Sequence, residues 1–193
     1  MLKHLLCILA VAHLTAAFAE EAPDAAVKEA QAVVEQYMAH AKAGEWEKSS
    51  ELMHPVALSD FKEMLMAAAE GAEKKGQAAG LLSLFDGVKD IAALKGLSPK
   101  IFFTKFITTV VNKNPQVAGI LAGAETSLIG PVKEGNDQIH FVYRMKGMVE
   151  EAKFSAMEVV SLKQHEAKWY VLMKANIEGM AAMLKKQFGE AGK

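Results

Sequence analysis

The segment 137–147, DQIHFVYRMKG, carries a proton-transfer side chain and an anion-binding side chain close together, His140 and Arg144. Its alternation predicts a β-strand, in which every second side chain points to the same face. His140 and Arg144 therefore share one face, and the opposite face is the apolar one, with Ile139, Phe141, Tyr143 and Met145. Because the apolar face should pack on helices, we expect His140 and Arg144 on the outer side of the sheet, where they do not form a catalytic pair.

Other ionisable groups offer little support for acid–base catalysis. Glu158 is the one acid well inside a predicted strand, and one possible hairpin register places it opposite His140 as an ordinary cross-strand pair. A shift of one residue in that hairpin would break the pairing. Tyr143 could be a pocket group, or a core side chain with a tethered hydroxyl. We predict no catalytic residue.

Metal and nucleophile motifs are missing from the sequence. Four histidines follow the first 19 residues, His40, His54, His140 and His165, and none has the spacing His-x-Glu or His-x-x-x-His. His54 precedes Pro55 and is expected to cap a helix or to be solvated. The sequence contains no glycine-rich phosphate loop and no serine-centred elbow. We therefore predict no metal and no cofactor.

The N-terminus has the pattern of a secretory signal. A basic start, MLKH, precedes an apolar run, and the small residues AFA stand before Glu20. The run is shorter than the roughly 20 residues that span a bilayer. We predict a signal peptide at 1–19, an exported protein in the periplasm or outside the cell, and no membrane contact after cleavage; a retained anchor is the alternative. Cys7 lies inside this segment, so the mature chain would have no cysteine.

Length and charge limit the remaining classes. The chain has 193 residues, with 22 basic and 23 acidic side chains and a formal net charge of −1. This balance gives no reason to expect a nucleic-acid partner. Residues 20–193 are predicted to form one domain with its own core.

Helical patterns fill the first part of the chain. A helix is expected after the N-cap Asp24, a short second helix over EWEKSSELMHP, and a third from Ser59 as N-cap. A helical insertion is predicted over 76–123, with Ser98 and Pro99 starting a helix inside it.

From about Ala124 the period changes to that of strands. Two hairpins, with loops at EGND and QHEA, predict four strands in meander order, and Pro131 assigns the first to an edge. A C-terminal helix is expected over 176–190. The fold class is therefore α+β, with N-terminal helices packed on a curved four-stranded antiparallel sheet and a C-terminal helix.

The last two strands are apolar on both faces. Phe154, Ala156, Val160 and Leu162 alternate with Met157 and Val159. An antiparallel sheet with one wet face should alternate more cleanly. We expect a cover on the outer face, either the C-terminal helix or a second copy of the chain in a homodimer.

Several motifs together suggest a family. The stretch YMAHAKAGEWEKSSELMHPVA, followed later by IHFVYRMKG, MEVVSLK and KWYVLM, resembles the nuclear-transport-factor-2-like superfamily, including its SnoaL-like members. The resemblance implies a cone-shaped α+β fold with a pocket between helices and sheet. It implies no single function, because members include isomerases, dehydratases, epoxide hydrolases, binding modules and subunits of assemblies.

The functional prediction is an exported, non-catalytic binding or interaction module with an apolar pocket for a small ligand. The residues predicted to line that pocket are Tyr37, Tyr143, Met145 and Trp169. One alternative is a small cofactor-free isomerase, dehydratase or hydrolase that uses Tyr143. Another is a structural subunit that acts through the outer face of its sheet.

Overall fold

The computed structural model describes residues 24–149 and 152–186. The predicted signal peptide lies outside the described residues. The helices are α1 (Ala25–Lys42), α2 (Trp46–Glu51), α3 (Pro55–Lys74), α4 (Ala78–Leu82), α5 (Ile91–Gly96), α6 (Pro99–Asn112), α7 (Pro115–Gly123) and α8 (Ala175–Leu184). The strands are β1 (Glu125–Glu134), β2 (Gln138–Val149), β3 (Ala152–His165) and β4 (Lys168–Val171). The α+β class, with helices first, a four-stranded antiparallel sheet and a C-terminal helix, is confirmed.

Local capping chemistry sets where the helices begin. The carboxylate of Asp24 accepts a hydrogen bond from the Ala26 amide at 2.9 Å, which starts α1 as predicted. The hydroxyl of Ser98 occupies the same position for α6. The prediction that Ser59 caps α3 is wrong, because Pro55 already takes the first helical turn and His54 is the N-cap residue.

The strands follow one another in the order β1-β2-β3-β4, and all neighbours are antiparallel. Strand β1 is an edge strand, as Pro131 predicts, and its register shifts at a bulge between Leu128 and Gly130. The far side of β4 is covered by the segment that precedes α3. There the His54 amide donates to the Val171 carbonyl, and the Val171 amide donates to the Leu52 carbonyl, each at 2.8 Å.

Two apolar clusters fill the interior. In the first, α1 lies on the inner face of the sheet and contributes Val27, Ala30 and Val34. Its sheet residues are Ile139, Phe141, Tyr143, Val160, Leu162, Trp169 and Val171. The second cluster joins α3 to α6 around Phe61, Phe85, Phe102 and Phe106, with ring centroids 4.7–6.2 Å apart. Tyr37 contacts both clusters and so connects the sheet layer to the helical layer.

The C-terminal helix α8 packs on α3, where Ala181 is fully buried in the second cluster. Helix α8 therefore does not supply the cover expected on the outer face of the sheet. On that face Met157 and Val159 remain 66% and 50% exposed. None of the described helices is both long and apolar enough to cross a membrane.

The helical cluster should tolerate truncation poorly. Phe102 is fully buried between Phe61 and Phe85, so Phe102→Ala should lower the free energy of unfolding by about 3–5 kcal/mol. Its neighbour Ile101 is 46% exposed, and Ile101→Ala should cost less than about 1 kcal/mol. Urea unfolding followed by circular dichroism measures both, and similar losses for the two variants would contradict the packing described.

Candidate functional site

The register of β2 against β3 fixes which side chains can meet. His140 lies opposite Ser161, and Glu158 lies opposite Tyr143. The possible pairing of Glu158 with His140 is therefore wrong, because His140 pairs with Ser161, which lies three residues after Glu158 on β3. The carboxylate of Glu158 instead lies 3.3 Å from the ammonium of Lys174, on the chain that follows β4.

His140 and Arg144 lie on the outer side of the sheet, as the alternation predicts. The two ring nitrogens of His140 contact the Ser161 hydroxyl at 2.8 Å and the Glu134 carboxylate at 2.7 Å. Arg144 is exposed opposite Met157. The two side chains thus have separate neighbours and do not converge on a common reactive point.

The four residues predicted to line a pocket occupy different parts of the interior. Tyr143 and Trp169 are buried between α1 and the sheet, Met145 is half-buried on β2, and Tyr37 lies at the junction of the two clusters. Ile139 is level with Val171 through their shared neighbour Leu162. Strands β2 and β4 run in the same direction. Tyr143 lies four residues after Ile139, and Trp169 lies two residues before Val171. Their separation along the strands is therefore six residues, or about 20 Å. One small ligand cannot touch both.

Tyr143 has a perturbed hydroxyl. In the described part of the chain no hydrogen-bond partner contacts this buried oxygen, and the same holds for the indole nitrogen of Trp169. Burial, with a smaller contribution from the negative charge of Glu35, raises the pKa of Tyr143 to about 12. The phenol is therefore neutral at physiological pH and can donate a hydrogen bond, but it is a poor proton acceptor.

A cleft of about 550 Å³ opens between the start of α3, the start of α8 and the outer side of β3 and the residues after β4. Its walls are mainly apolar, with Val56, Ala57, Phe61, Met64, Leu172 and Met173. Its polar groups are His54, Asp60, Ser161, Lys163 and Glu178. A concave apolar surface with a few converging polar groups is the usual form of a small-molecule site.

His54 is the most unusual polar group of this cleft. It is 7% exposed, and its ring lies 5.2 Å from the ring of His165 and 6.2 Å from that of Tyr170. Desolvation by burial lowers the pKa of His54, and the positive charges of His165 and Lys163 lower it further, while Asp60 opposes them. His54 is therefore a neutral imidazole at neutral pH.

The sequence predicts that His54 caps a helix or is solvated, and neither role indicates this cluster. His54 does occupy the N-cap position of α3, but its ring meets side chains more than 100 residues away along the chain. The β3–β4 turn brings them there, with Glu166 and Ala167 at φ of +49° and +61°. No local pattern around His54 could have indicated these neighbours.

A second cleft of about 430 Å³ adjoins the first and shares Ser161, Leu172, Met173 and Glu178 with it. The two together form a groove that follows β3 past the end of β4. A third cleft of about 600 Å³ lies between α4 and α6. There Lys113 donates to the Ser83 carbonyl at 2.6 Å and Lys105 to the Asp86 carbonyl at 3.1 Å, so these cations already hold the connecting loop. The cleft at His54 is the better candidate site.

Replacing Tyr143 tests whether its buried hydroxyl contributes to the stability of the fold. Tyr143→Phe removes a buried hydroxyl that has no protein partner in the described chain, so the free energy of unfolding should rise by about 1 kcal/mol. Urea unfolding of the purified protein measures the change. A loss of stability would show that the hydroxyl has a partner in the folded protein.

The pKa of His54 predicts a pH dependence of stability. A His whose folded-state pKa lies below its ordinary value resists a proton that the unfolded chain accepts. Stability should therefore be fully present above the unfolded-state pKa of about 6.5 and should fall as the pH drops below it. His54→Gln should flatten this decline, measured as the urea midpoint at about pH 7.5 and about pH 5.5.

The variant Asp60→Asn should change the pH dependence in the direction opposite to His54→Gln. The carboxylate of Asp60 raises the pKa of His54, so its removal should lower that pKa further and steepen the decline. Equal declines in the wild-type protein and both variants would contradict the assignment to His54.

Neither a metal site in the described part of the chain nor a similar protein indicates a function for this chain. In the described residues, no group of three or more His, Cys, Asp or Glu side chains could hold a metal ion. In comparisons with known proteins, no family model, no curated protein and no solved structure matches the chain.

Proposed function

We propose that the chain is an exported, non-catalytic binding module that holds a small apolar ligand in the cleft between α3, α8 and the sheet. The carrying observation is that cleft, in which Phe61, Met64 and Met173 form apolar walls around the buried ring of His54. Methionine side chains adapt to irregular apolar shapes, which suits a ligand-binding wall. The cleft lies on the outer side of β3, whereas the pocket predicted from the sequence was on the inner face, and none of its four predicted lining residues lines this cleft.

The charges of the cleft favour an uncharged ligand. Asp60 and Glu178 contribute two carboxylates, and the single ammonium of Lys163 lies 3.7 Å from the carboxylate of Asp137. An anionic ligand would meet these carboxylates, and a ligand without charge suits the apolar walls that make up most of the cleft. A neutral ligand with one hydrogen-bonding group can use the imidazole of His54, which has one donor and one acceptor nitrogen when neutral.

The family resemblance and export remain parts of the proposal. The order of α1, the short α2 and Pro55, followed by a sheet whose inner face α1 covers, supports membership of the nuclear-transport-factor-2-like superfamily. The basic and apolar start of the sequence supports a signal peptide at 1–19.

A structural subunit is the second candidate function. It is favoured by one observation, the exposure of Met157 and Val159 on the outer face of the sheet. Apolar side chains that adjoin on one strand face can form an interface with another protein. A homodimer through this face remains a proposal of the same kind.

Filling the cleft should weaken binding of a neutral apolar probe. Ala57 lines the cleft, so Ala57→Trp should place an indole in the ligand space and weaken binding of N-phenyl-1-naphthylamine by about tenfold or more, read by its fluorescence. Ala67 is exposed on the same helix, and Ala67→Trp is the matched control, with unchanged binding expected. Native mass spectrometry of protein from its own host would report a carried ligand.

Equal probe binding by the wild-type protein and Ala57→Trp would contradict the assignment of the ligand to this cleft. Circular dichroism of both tryptophan variants would establish that each keeps the fold.

A further inference from the structure

Strand β3 extends well beyond its partner β4. All of strand β2 pairs with residues 152–163 of β3. Strand β4 pairs only with residues 162–165 of β3. The chain then leaves the sheet at Lys174, the N-cap residue of α8. On the side away from β2, residues 153–159 have no neighbouring strand in the described part of the chain.

Two hydrogen bonds show which backbone groups face that open side. The Gln164 amide donates to the Asp137 carbonyl on the β2 side, and the Leu172 amide donates to the Ser161 carbonyl on the opposite side, each at 2.8 Å. Backbone direction alternates along a strand, and the β2–β3 register runs without a bulge. The N–H and C=O groups of Lys153, Ser155, Met157 and Val159 therefore point away from β2.

This edge carries two charged residues, Lys153 and the inner-face Glu158, whose carboxylate lies 3.3 Å from Lys174, but it has neither a proline nor a bulge. Proteins commonly block an open edge with proline, a bulge or inward-pointing charge, and β1 has both Pro131 and a bulge. Residues 153–159 contain no proline, and their pairing with β2 is regular. The cleft of about 430 Å³ lies where the edge meets the start of α8, so the space beside the strand is open.

On the outer face the charged side chains nearest the edge are positive, with the acidic Glu125 of β1 on the far side of Lys146. On the outer face Arg144 lies opposite Met157, Lys146 opposite Ser155, and Lys153 stands on the edge itself. None of these three cations forms an ion pair within the described residues. Two copies joined edge to edge would bring six cations to one face and repel each other, whereas an acidic partner would neutralise them.

We propose that residues 153–159 of β3 accept an extended peptide segment of a partner protein as an added strand. The segment carries acidic side chains on the outer face, near Arg144 and Lys146, and apolar side chains on the inner face, near Phe154 and Ala156. Main-chain hydrogen bonds provide affinity in this binding mode, and the alternating side chains provide specificity. The inference goes beyond the proposed ligand site, because it does not use the His54 cleft.

A backbone substitution tests the proposal on the full-length mature chain. The probe is a fluorescein-labelled synthetic peptide of alternating Asp and Val, followed by fluorescence anisotropy. Ser155→Pro removes an edge-facing N–H and should weaken binding by about tenfold or more, without loss of a bond to β2. Ser155→Ala keeps the N–H and should bind as the wild-type protein does. Circular dichroism and the melting temperature show whether Ser155→Pro keeps the fold.

A charge reversal provides an independent arm. The double variant Arg144→Glu, Lys146→Glu should bind the Asp–Val peptide about tenfold more weakly and should gain affinity for a Lys–Val peptide. Lys89→Glu makes a single charge reversal far from β3, on the loop before α5, and should change neither affinity.

Two outcomes would overturn the proposal. One is unchanged peptide binding by a folded Ser155→Pro variant, which would place the peptide elsewhere. The other is a peptide-free dimer in sedimentation that Ser155→Pro dissociates, which would make a second copy the occupant of the edge. Probe binding in the His54 cleft should be unaffected by Ser155→Pro, so the two proposals can fail separately.

Discussion

The two backbone hydrogen bonds that Val171 forms with Leu52 and His54 join the helices to the sheet. Much of the architecture depends on this junction. It covers the far side of β4 immediately before Pro55 starts α3, and it places the ring of His54 near those of His165 and Tyr170. A backbone contact of this kind is insensitive to side-chain identity, because it uses only main-chain groups. The cleft is therefore a result of where the chain enters α3.

The elements could be predicted from the sequence where the pattern is local. The starts of α1 and α6 follow from Asp24 and Ser98, whose side chains cap the helices they precede. The face on which His140 lies follows from strand alternation, which holds wherever one face is apolar. The predicted start of α3 at Ser59 is wrong, because two start signals stand close together and the proline at position 55 is the stronger one.

The site could not be predicted in the same way. The cleft at His54 depends on contacts between α3, β3 and α8, which are far apart in the sequence. The predicted lining residues share a chemical type and a face, but a face extends over the whole sheet. Tyr143 and Trp169 share a face and still lie at different ends of it. The sequence also does not indicate the open edge of β3, because the length of that edge depends on where the chain leaves the sheet after β4.

The two ends of the sheet differ in a way that limits its assemblies. Pro131 and the bulge in β1 interrupt one border, and the chain segment at Met53 covers β4. Among the described residues, the exposed length of β3 is the border that is left without a cover or an interruption. Open-ended filaments need two complementary borders on every subunit, so that each copy can both give and receive a strand. A molecule that receives on one border alone forms a complex of fixed size and cannot propagate into a fibre through its sheet.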